Sequence, residues 1–299
     1  MTVRKVLITG GTGLLGKALV ETNPGWQIIC TYMGNYDIPP TKLVSYIKLD
    51  ILDLDGYSGL FNNFQPDVVI HAASIGSPDF AEKNKEITWA INVDGTKNIC
   101  HCCETHNARL IHISSNGIYD GDHAPYSETA QAHPINYYGE TKLASEQPVK
   151  ELSLPHAVVR PILMYGWHHP FERGNILTLA LSKLKRGEPL SLYDDVYSNP
   201  LYSGSCAEAI WKMIHEDIFE DFNLAGAERH SIFSFIKRAA EIFGLDAGLL
   251  RPVQQGFFNE LVRRPRDTSY DTSKMSSRLD LMALLLADGL AKMRKEMGV

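Results

Sequence analysis

"ITGGTGLLG", residues 8–16, closes an apolar, β-branched run and opens a helical one, and its reading decides the fold. Gly10, Gly13 and Gly16 stand as G-x-x-G-x-x-G. Each glycine has a mechanical reason in a dinucleotide loop: a tight turn, close approach of backbone to pyrophosphate, and close packing of helix on strand. The exposed amides and the helix dipole then hold the phosphates. A purely structural turn is the competing reading. The strand–loop–helix context, placed at the very start of the chain, favours cofactor binding.

Working outward, strands are expected at residues 3–9, 26–32, 46–49, 67–71, 109–114 and 156–160. Helices are expected at 14–21, 87–106 and 138–152. Buried apolar strands alternating with helices indicate an α/β protein with a Rossmann-type, doubly wound parallel sheet. Past Arg160-Pro161 the pattern becomes irregular, with helices expected at 176–186, 207–215 and 233–243 and an amphipathic tail at 282–297. The expected division is residues 1–165 for the NAD(P)-binding domain, with a returning segment at about 196–225. A smaller C-terminal, substrate-binding lobe takes 166–195 and 226–299.

The 299 residues carry a formal charge of −6 and a pI near 6.0, which gives no general attraction for nucleic acid or an anionic membrane. No apolar run approaches the roughly 20 residues of a membrane span. The first residues enter a strand-like run directly, without the layout of a signal peptide, so a cytoplasmic protein is expected. Five cysteines, an odd number, make no disulfide framework. Cys100, Cys102 and Cys103, with His101 and His106, fit no common zinc spacing and read as packing residues on a helix. No metal is expected.

"YYGETK", residues 137–142, holds the candidate chemistry. Tyr138 and Lys142 are spaced i, i+4 and share a helix face, whereas Tyr137 has Thr141 at that spacing. A phenol titrates near pH 10, and acid–base work at neutral pH asks for a value about three units lower. A neighbouring ammonium supplies part of that shift, so Lys142 is expected to lower Tyr138.

Together these residues resemble the extended short-chain dehydrogenase/reductase family over nearly the whole chain. Gly10, Gly13 and Gly16 match its dinucleotide loop. Asp50 and Ile51 in "KLDILD" fall where the family contacts the adenine ring, and "HAAS" (71–74) matches the turn after strand four. Asn92 in "NVDGTKN" matches the family's helix asparagine, Ser115 its catalytic serine or threonine, and Tyr138 and Lys142 its catalytic pair. "RPILMYG" (160–166) matches the segment that passes the nicotinamide. Within the family the chain is most similar to the dTDP-4-dehydrorhamnose reductase group of nucleotide-sugar enzymes. The carriers are "YDGDHAPYSETAQAHPINYYGETKLASE" (119–146), "PDFAE" (78–82), "DDVYSNPLY" (194–202) and "RRPRDTSYDTSKM" (263–275). The group's Thr-Asp-Tyr is here Ser115-Asn116-Gly117, and Leu163 stands where members often carry tryptophan.

The resemblance implies reduction of a nucleotide-activated 4-keto-6-deoxysugar. Tyr138 is then the general acid, Ser115 the hydrogen-bond donor to the developing alkoxide, Lys142 the residue that tunes Tyr138 and holds the nicotinamide ribose, and Asn92 the holder of a relay water. Cofactor contacts are implied for Gly10, Thr12, Gly13, Leu14, Leu15, Gly16, Thr31, Asp50, Ile51, His71, Ala72, Ala73, Tyr138, Lys142, Arg160 and Ile162. Substrate contacts are implied for Asn116, Asn175, Arg263 and Arg266, since guanidinium forks suit a diphosphate. Residues 30–32, at the end of strand two, include no acid, which favours NADP(H), with NAD(H) as the rival. The partner is a nucleotide sugar, and a homodimer is left open. Two other readings compete: a nucleotide-sugar epimerase on the same fold, and a non-catalytic dinucleotide-binding subunit resembling the β subunit of methionine adenosyltransferase. Dehydration is disfavoured, because Asn116-Gly117 supplies no acidic pair.

Overall fold

The structure is a computed structural model that describes residues 4–35 and 37–297. Val3, the start of the expected first strand, lies outside these residues. The chain begins with β1 (Lys5–Thr9), α1 (Leu14–Glu21), β2 (Gln27–Tyr32), β3 (Val44–Lys48), α2 (Leu54–Phe64) and β4 (Val68–His71). It continues through α3 (Pro78–Lys83), α4 (Lys85–Trp89), a π-helical turn at Ala90–Asp94, and α5 (Gly95–His106). Then come β5 (Arg109–Ile113), α6 (Tyr137–Lys150) and β6 (His156–Pro161).

Seven strands, the last being β11 below, form one parallel sheet in the order β3-β2-β1-β4-β5-β6-β11. The strand order reverses between β1 and β4, so a crevice opens at their C-terminal ends, where doubly wound sheets bind ligands. Register fixes its rim: Thr9 lies opposite Thr31 and His71, and His71 opposite His112.

Side chains alternate across the sheet with period two. Val6, Ile8, Ile70, Ile111 and Val159 face one layer, which includes Leu15, Ala18 and Leu19 of α1. Leu7, Val69, Leu110 and Val158 face the other, which includes Tyr57, Phe61, Ile99 and Val149. Cys100, Cys102 and Cys103 are buried in this second layer, as apolar packing residues. Among the described residues no cluster of His, Cys, Asp or Glu could hold a metal ion, and no helix is long and apolar enough to cross a membrane.

The second half runs β7 (Met164–Tyr165), α7 (Ile176–Lys185), β8 (Leu190–Tyr193), β9 (Tyr197–Ser198), β10 (Leu201–Tyr202), α8 (Ser203–His215) and β11 (Phe222–Leu224). It ends with β12 (His230–Ser231), α9 (Ile232–Phe243), β13 (Leu250–Val253), α10 (Ser273–Leu279) and α11 (Leu286–Lys295). Helix α8 returns to the sheet, where Trp211 Nε1 donates to Leu19 O and to Thr22 Oγ1 at the end of α1. Helices α7, α9 and α11 build a separate core from Leu181, Leu184, Phe235, Ile236, Leu290 and Met293.

Two expectations need correction. The amphipathic tail is helical only over Leu286–Lys295, because Asp280 turns into the left-handed region (φ 46°) and Leu284 gives its carbonyl to the Ala227 amide. The expected helix over 87–106 is helical throughout but not uniformly α: Ala90–Asp94 form a π turn, which widens around Asn92.

Candidate active site

The glycine loop has little freedom. Gly10 has φ +68°, and a Cβ there would lie 2.8 Å from the Ala73 amide nitrogen, so the loop after β4 presses directly on it. A Cβ on Gly16 would stand 2.5 Å from the Gly11 carbonyl, which is how α1 packs this closely on β1. No side chain caps the N-terminus of α1, so its first-turn amides have no partner from a capping residue. This cradle of close backbone and uncapped amides fits a dinucleotide pyrophosphate. Thr12 Oγ1 donates to Glu172 Oε1 at 2.6 Å, which brings the loop between β7 and α7 over the glycine turn. Sequence reasoning missed Glu172, and no motif marks it.

Below the loop, Thr9 Oγ1 accepts from the Ala73 amide at 3.1 Å and therefore directs its proton to His71 Nδ1, 2.7 Å away. His71 Nε2 then donates to Thr96 Oγ1 (3.0 Å), whose hydroxyl donates to Asn92 O (2.7 Å). Burial, reinforced by the Lys142 charge, pushes His71 down to about 3, so it is neutral. Its ring holds β1, β4 and the π turn together; the side chain is therefore not a cofactor contact. Only the half-buried Ala72 and Ala73, whose backbone meets Gly10, lie at the loop itself.

The widened π turn aims Asn92 inward. Its Oδ1 accepts from the Ile75 amide (2.7 Å), and its Nδ2 donates to Ile75 O (3.2 Å) and Thr141 Oγ1 (3.0 Å). The amide is committed to tying the loop after β4 to α6. That bonding departs from the expected water-holding role, though π turns do concentrate at functional sites.

Ser115, Tyr138 and Lys142 come together at the C-terminal end of β5. Asn136 caps α6, accepting from the Gly139 amide at 3.0 Å, and so fixes where Tyr138 enters the first turn. Ser115 hydrogen-bonds the Tyr138 phenol and accepts from the Gly117 amide at 3.1 Å. Burial raises the phenol above its ordinary value, and the Ser115 bond only partly opposes it. Lys142 is fully buried, its Nζ donating to Ile113 O at 2.8 Å. Burial lowers it to about 8, against the pull of Glu146. The expectation of a lowered phenol is thus corrected: burial outweighs what lowers it, and the one hydrogen bond of the Lys142 ammonium goes to a backbone carbonyl.

Several other expected contacts turn inward. Thr31 Oγ1 pairs with Tyr57 OH at 2.7 Å, while Thr31 O accepts from Gly11 N. Arg160 forms a two-pronged pair with Glu146, Nε to Oε1 at 2.7 Å and Nη2 to Oε2 at 2.6 Å, which leaves only the buried Nη1 without a partner. Ile162 and Ile51 are buried, Ile51 beneath Gly95. Asp50 is half-buried and accepts from the Leu52 amide. Asn175 is the cap of α7 and donates to Gly166 O, which explains the residue without a substrate.

Asn116 fares differently. Its Nδ2 donates to Thr268 Oγ1 at 2.7 Å, joining the serine loop to the segment that carries the arginines. That segment is pinned where Asn136 Nδ2 donates to Arg263 O and where Tyr197 N donates to Arg266 O. Arg263 and Arg266 are exposed, whereas Arg264 pairs with Asp79 at 2.7 Å and with Glu260. Thr268 and Asp79 were missed by sequence reasoning, although both sit inside motifs quoted above.

Methionine adenosyltransferase 2 subunit beta of Bos taurus is 28% identical over 285 residues, covering 92% of this chain and 82% of that protein. A probable low-salt glycan biosynthesis reductase of Haloferax volcanii is 25% identical over 293 residues, 95% of each chain. A crystal structure of dTDP-4-dehydrorhamnose reductase from Bacillus anthracis, in complex with NADP, superposes with a TM-score of 0.87 at 26% identity, covering 99% of this chain and 100% of that one. The family model described as the RmlD substrate binding domain matches residues 4–298. By that match across both the sheet and the lobe, the chain belongs to the RmlD family of extended short-chain dehydrogenases/reductases.

Proposed function

We propose that the protein is an NAD(P)-dependent oxidoreductase that reduces the keto group of a nucleotide-activated 4-keto-6-deoxysugar, as dTDP-4-dehydrorhamnose reductases do. The observation that carries the reading is the meeting of Ser115, Tyr138 and Lys142 beside the glycine-loop crevice.

The reduced nicotinamide supplies the hydride. The chain's own residues manage the proton and the charge. Tyr138, held protonated by burial, gives its proton to the sugar oxygen as that oxygen becomes an alkoxide. The Ser115 hydroxyl, which lies beside the phenol and donates to Asn116 Oδ1 at 3.3 Å in the resting site, turns to donate a second hydrogen bond to the same oxygen. Lys142, one turn along α6, faces the phenolate that remains. Gly10, Gly13 and the first turn of α1 receive the pyrophosphate. Arg263 and Arg266, exposed on the pinned segment beside Asn116, receive the sugar's diphosphate. Residues 30–33 hold no carboxylate to repel a 2′-phosphate, so NADPH is the preferred reductant.

A screen of nucleotide-4-keto sugars with NADPH and NADH, following loss of the reduced-nicotinamide absorbance, tests the reading. Turnover abolished by Tyr138→Phe supports it. Conversion of a sugar without net oxidation of cofactor would mean an epimerase. The relation to methionine adenosyltransferase 2 subunit beta favours one second reading, a dinucleotide-binding regulatory subunit. Tight dinucleotide binding with no turnover of any keto sugar would select it.

A further inference from the structure

The face of α6 that bears Tyr138 and Lys142 continues one turn further to Glu146, at i, i+4 and i+8. Glu146 is 1% exposed, and its carboxylate is saturated. Oε1 accepts from Ser114 Oγ (2.7 Å) and Arg160 Nε (2.7 Å); Oε2 accepts from Arg160 Nη2 (2.6 Å) and Lys150 Nζ (2.9 Å). Three consecutive residues at the end of β5 are therefore gripped by three successive turns of one helix. Ser115 bonds Tyr138, Ile113 O takes Lys142, and Ser114 bonds Glu146.

We infer that Glu146, held by Arg160, is a positioning residue that locks α6 in register on β5 and keeps the buried Lys142 ammonium charged. This role goes beyond the Ser–Tyr–Lys set and rests on the reductase reading only where turnover is measured.

The charge argument depends on what surrounds Lys142. From α6 it faces Tyr138 and Glu146, from β4 His71, from β5 His112, and Arg160 of β6 stands behind Glu146. His71 and His112 are held neutral by burial, and Tyr138 keeps its proton. Glu146 is the anion in that set. A buried lysine without a nearby anion loses its proton readily.

The test reads Lys142 directly in the resting protein. Lysine side-chain carbon and nitrogen resonances are titrated by NMR, with the Lys142 signal identified by its loss in Lys142→Arg. In Glu146→Gln, which keeps shape but removes charge, the Lys142 midpoint is expected to fall by roughly one unit or more. Because Glu146→Gln leaves the buried Arg160 guanidinium with only the distant Asp221 carboxylate, 3.9 Å away, Glu146→Gln/Arg160→Gln is measured as well, and a smaller fall is expected there because a cation is removed with the anion. Glu146→Asp should restore most of the wild-type midpoint. An unmoved midpoint in a folded charge-free variant overturns the inference whatever the protein catalyses. Turnover then adds a second reading: if the protein is a reductase, the alkaline limb of its rate profile should move down by the same interval, with cofactor affinity measured below that limb unchanged.

Discussion

Gly13→Ala separates folding from cofactor binding within the glycine loop. In the protein itself Gly13 is the least constrained of the three glycines. Its φ and ψ are −64° and 173°, extended backbone that alanine adopts freely, and a Cβ would meet only Gly10 O at 3.3 Å. The N-cap penalty of alanine against glycine, on the order of 0.5–1 kcal/mol, is offset by the lower entropy of the unfolded chain, worth about 0.4–1 kcal/mol. Net stability should change by less than about 1 kcal/mol, which for a chain of this size is a Tm shift under about 4 °C. The pyrophosphate, by contrast, must approach this backbone closely. A methyl group in that path forfeits one charge-assisted hydrogen bond of about 1.5–3 kcal/mol, or roughly 10- to 150-fold in affinity. Gly16→Ala is the opposite control: its Cβ falls 2.5 Å from the Gly11 carbonyl, so it should destabilise by at least about 1–3 kcal/mol. Thermal melts and calorimetric titration with NADPH measure both quantities. A folded Gly13→Ala protein that binds dinucleotide within twofold of wild type would refute the assignment of this loop.

Tyr138→Phe should remove at least about a hundredfold of turnover while sparing cofactor affinity, whereas Tyr137→Phe, which loses only a bond to Lys85 O, should be mild; equal losses in steady-state rates would count against the proton-donor assignment. Gly139→Ala would drive a Cβ to 2.1 Å from Gly117 O and push Tyr138 away from the Ser115 turn, so kcat should fall with KM for the dinucleotide little changed, and a wild-type kcat would show that the turn yields freely. Burial pushes the Glu146 carboxyl up, but Arg160, Ser114 and Lys150 outweigh it and hold it at about 2. Its contribution, on the order of 3 kcal/mol, is therefore present above the ordinary carboxyl range near 4.3 and lost as pH falls towards 2; urea midpoints between pH 6 and 3 should drop more steeply for wild type than for Glu146→Gln/Arg160→Gln. NADPH should bind more tightly than NADH, and substantially tighter NADH in a direct titration would reverse that preference.

The sheet was legible because its strands are short, apolar and bounded by glycine or polar loops, and the glycine triplet named the crevice at which the sheet reverses. The orientation of side chains at that crevice was not. Thr31, His71 and Arg160 lie on or beside the right strands, yet each points into a packed layer and not into the cleft. A family position carries the backbone location; the side-chain direction depends on a partner elsewhere, and for Thr31 and His71 that partner, Tyr57 or Thr96, is announced by no local pattern. The π turn was hidden for a similar reason. Residues 85–106 have helical composition throughout, and the extra residue in one turn is held by bonds from Asn92 to Ile75 and Thr141. Glu146 alone could have been read in advance, since it continues the i, i+4 stripe from Tyr138 and Lys142.

The corrected state of Tyr138 bears on the direction of the proposed reaction. A phenol lowered towards neutrality serves best as a base that takes a proton from an alcohol. A phenol above pH 10 is ionised in fewer than about one molecule in a thousand at pH 7, so it waits as an acid. Lys142 does not undo this, because burial is the larger effect and the resting phenol keeps its proton. Once the proton has left, the same cation stands one helical turn from a phenolate in a buried site, where attraction between opposite charges is strongest. Its stabilisation therefore appears as charge develops and is nearly absent from the resting state, which is the condition for lowering a barrier. In the proposed reaction Ser115 works in the same sense, its hydroxyl turning from Asn116 Oδ1 to the forming alkoxide. A site arranged to donate a proton and then to tolerate the anion left behind is suited to reducing a ketone.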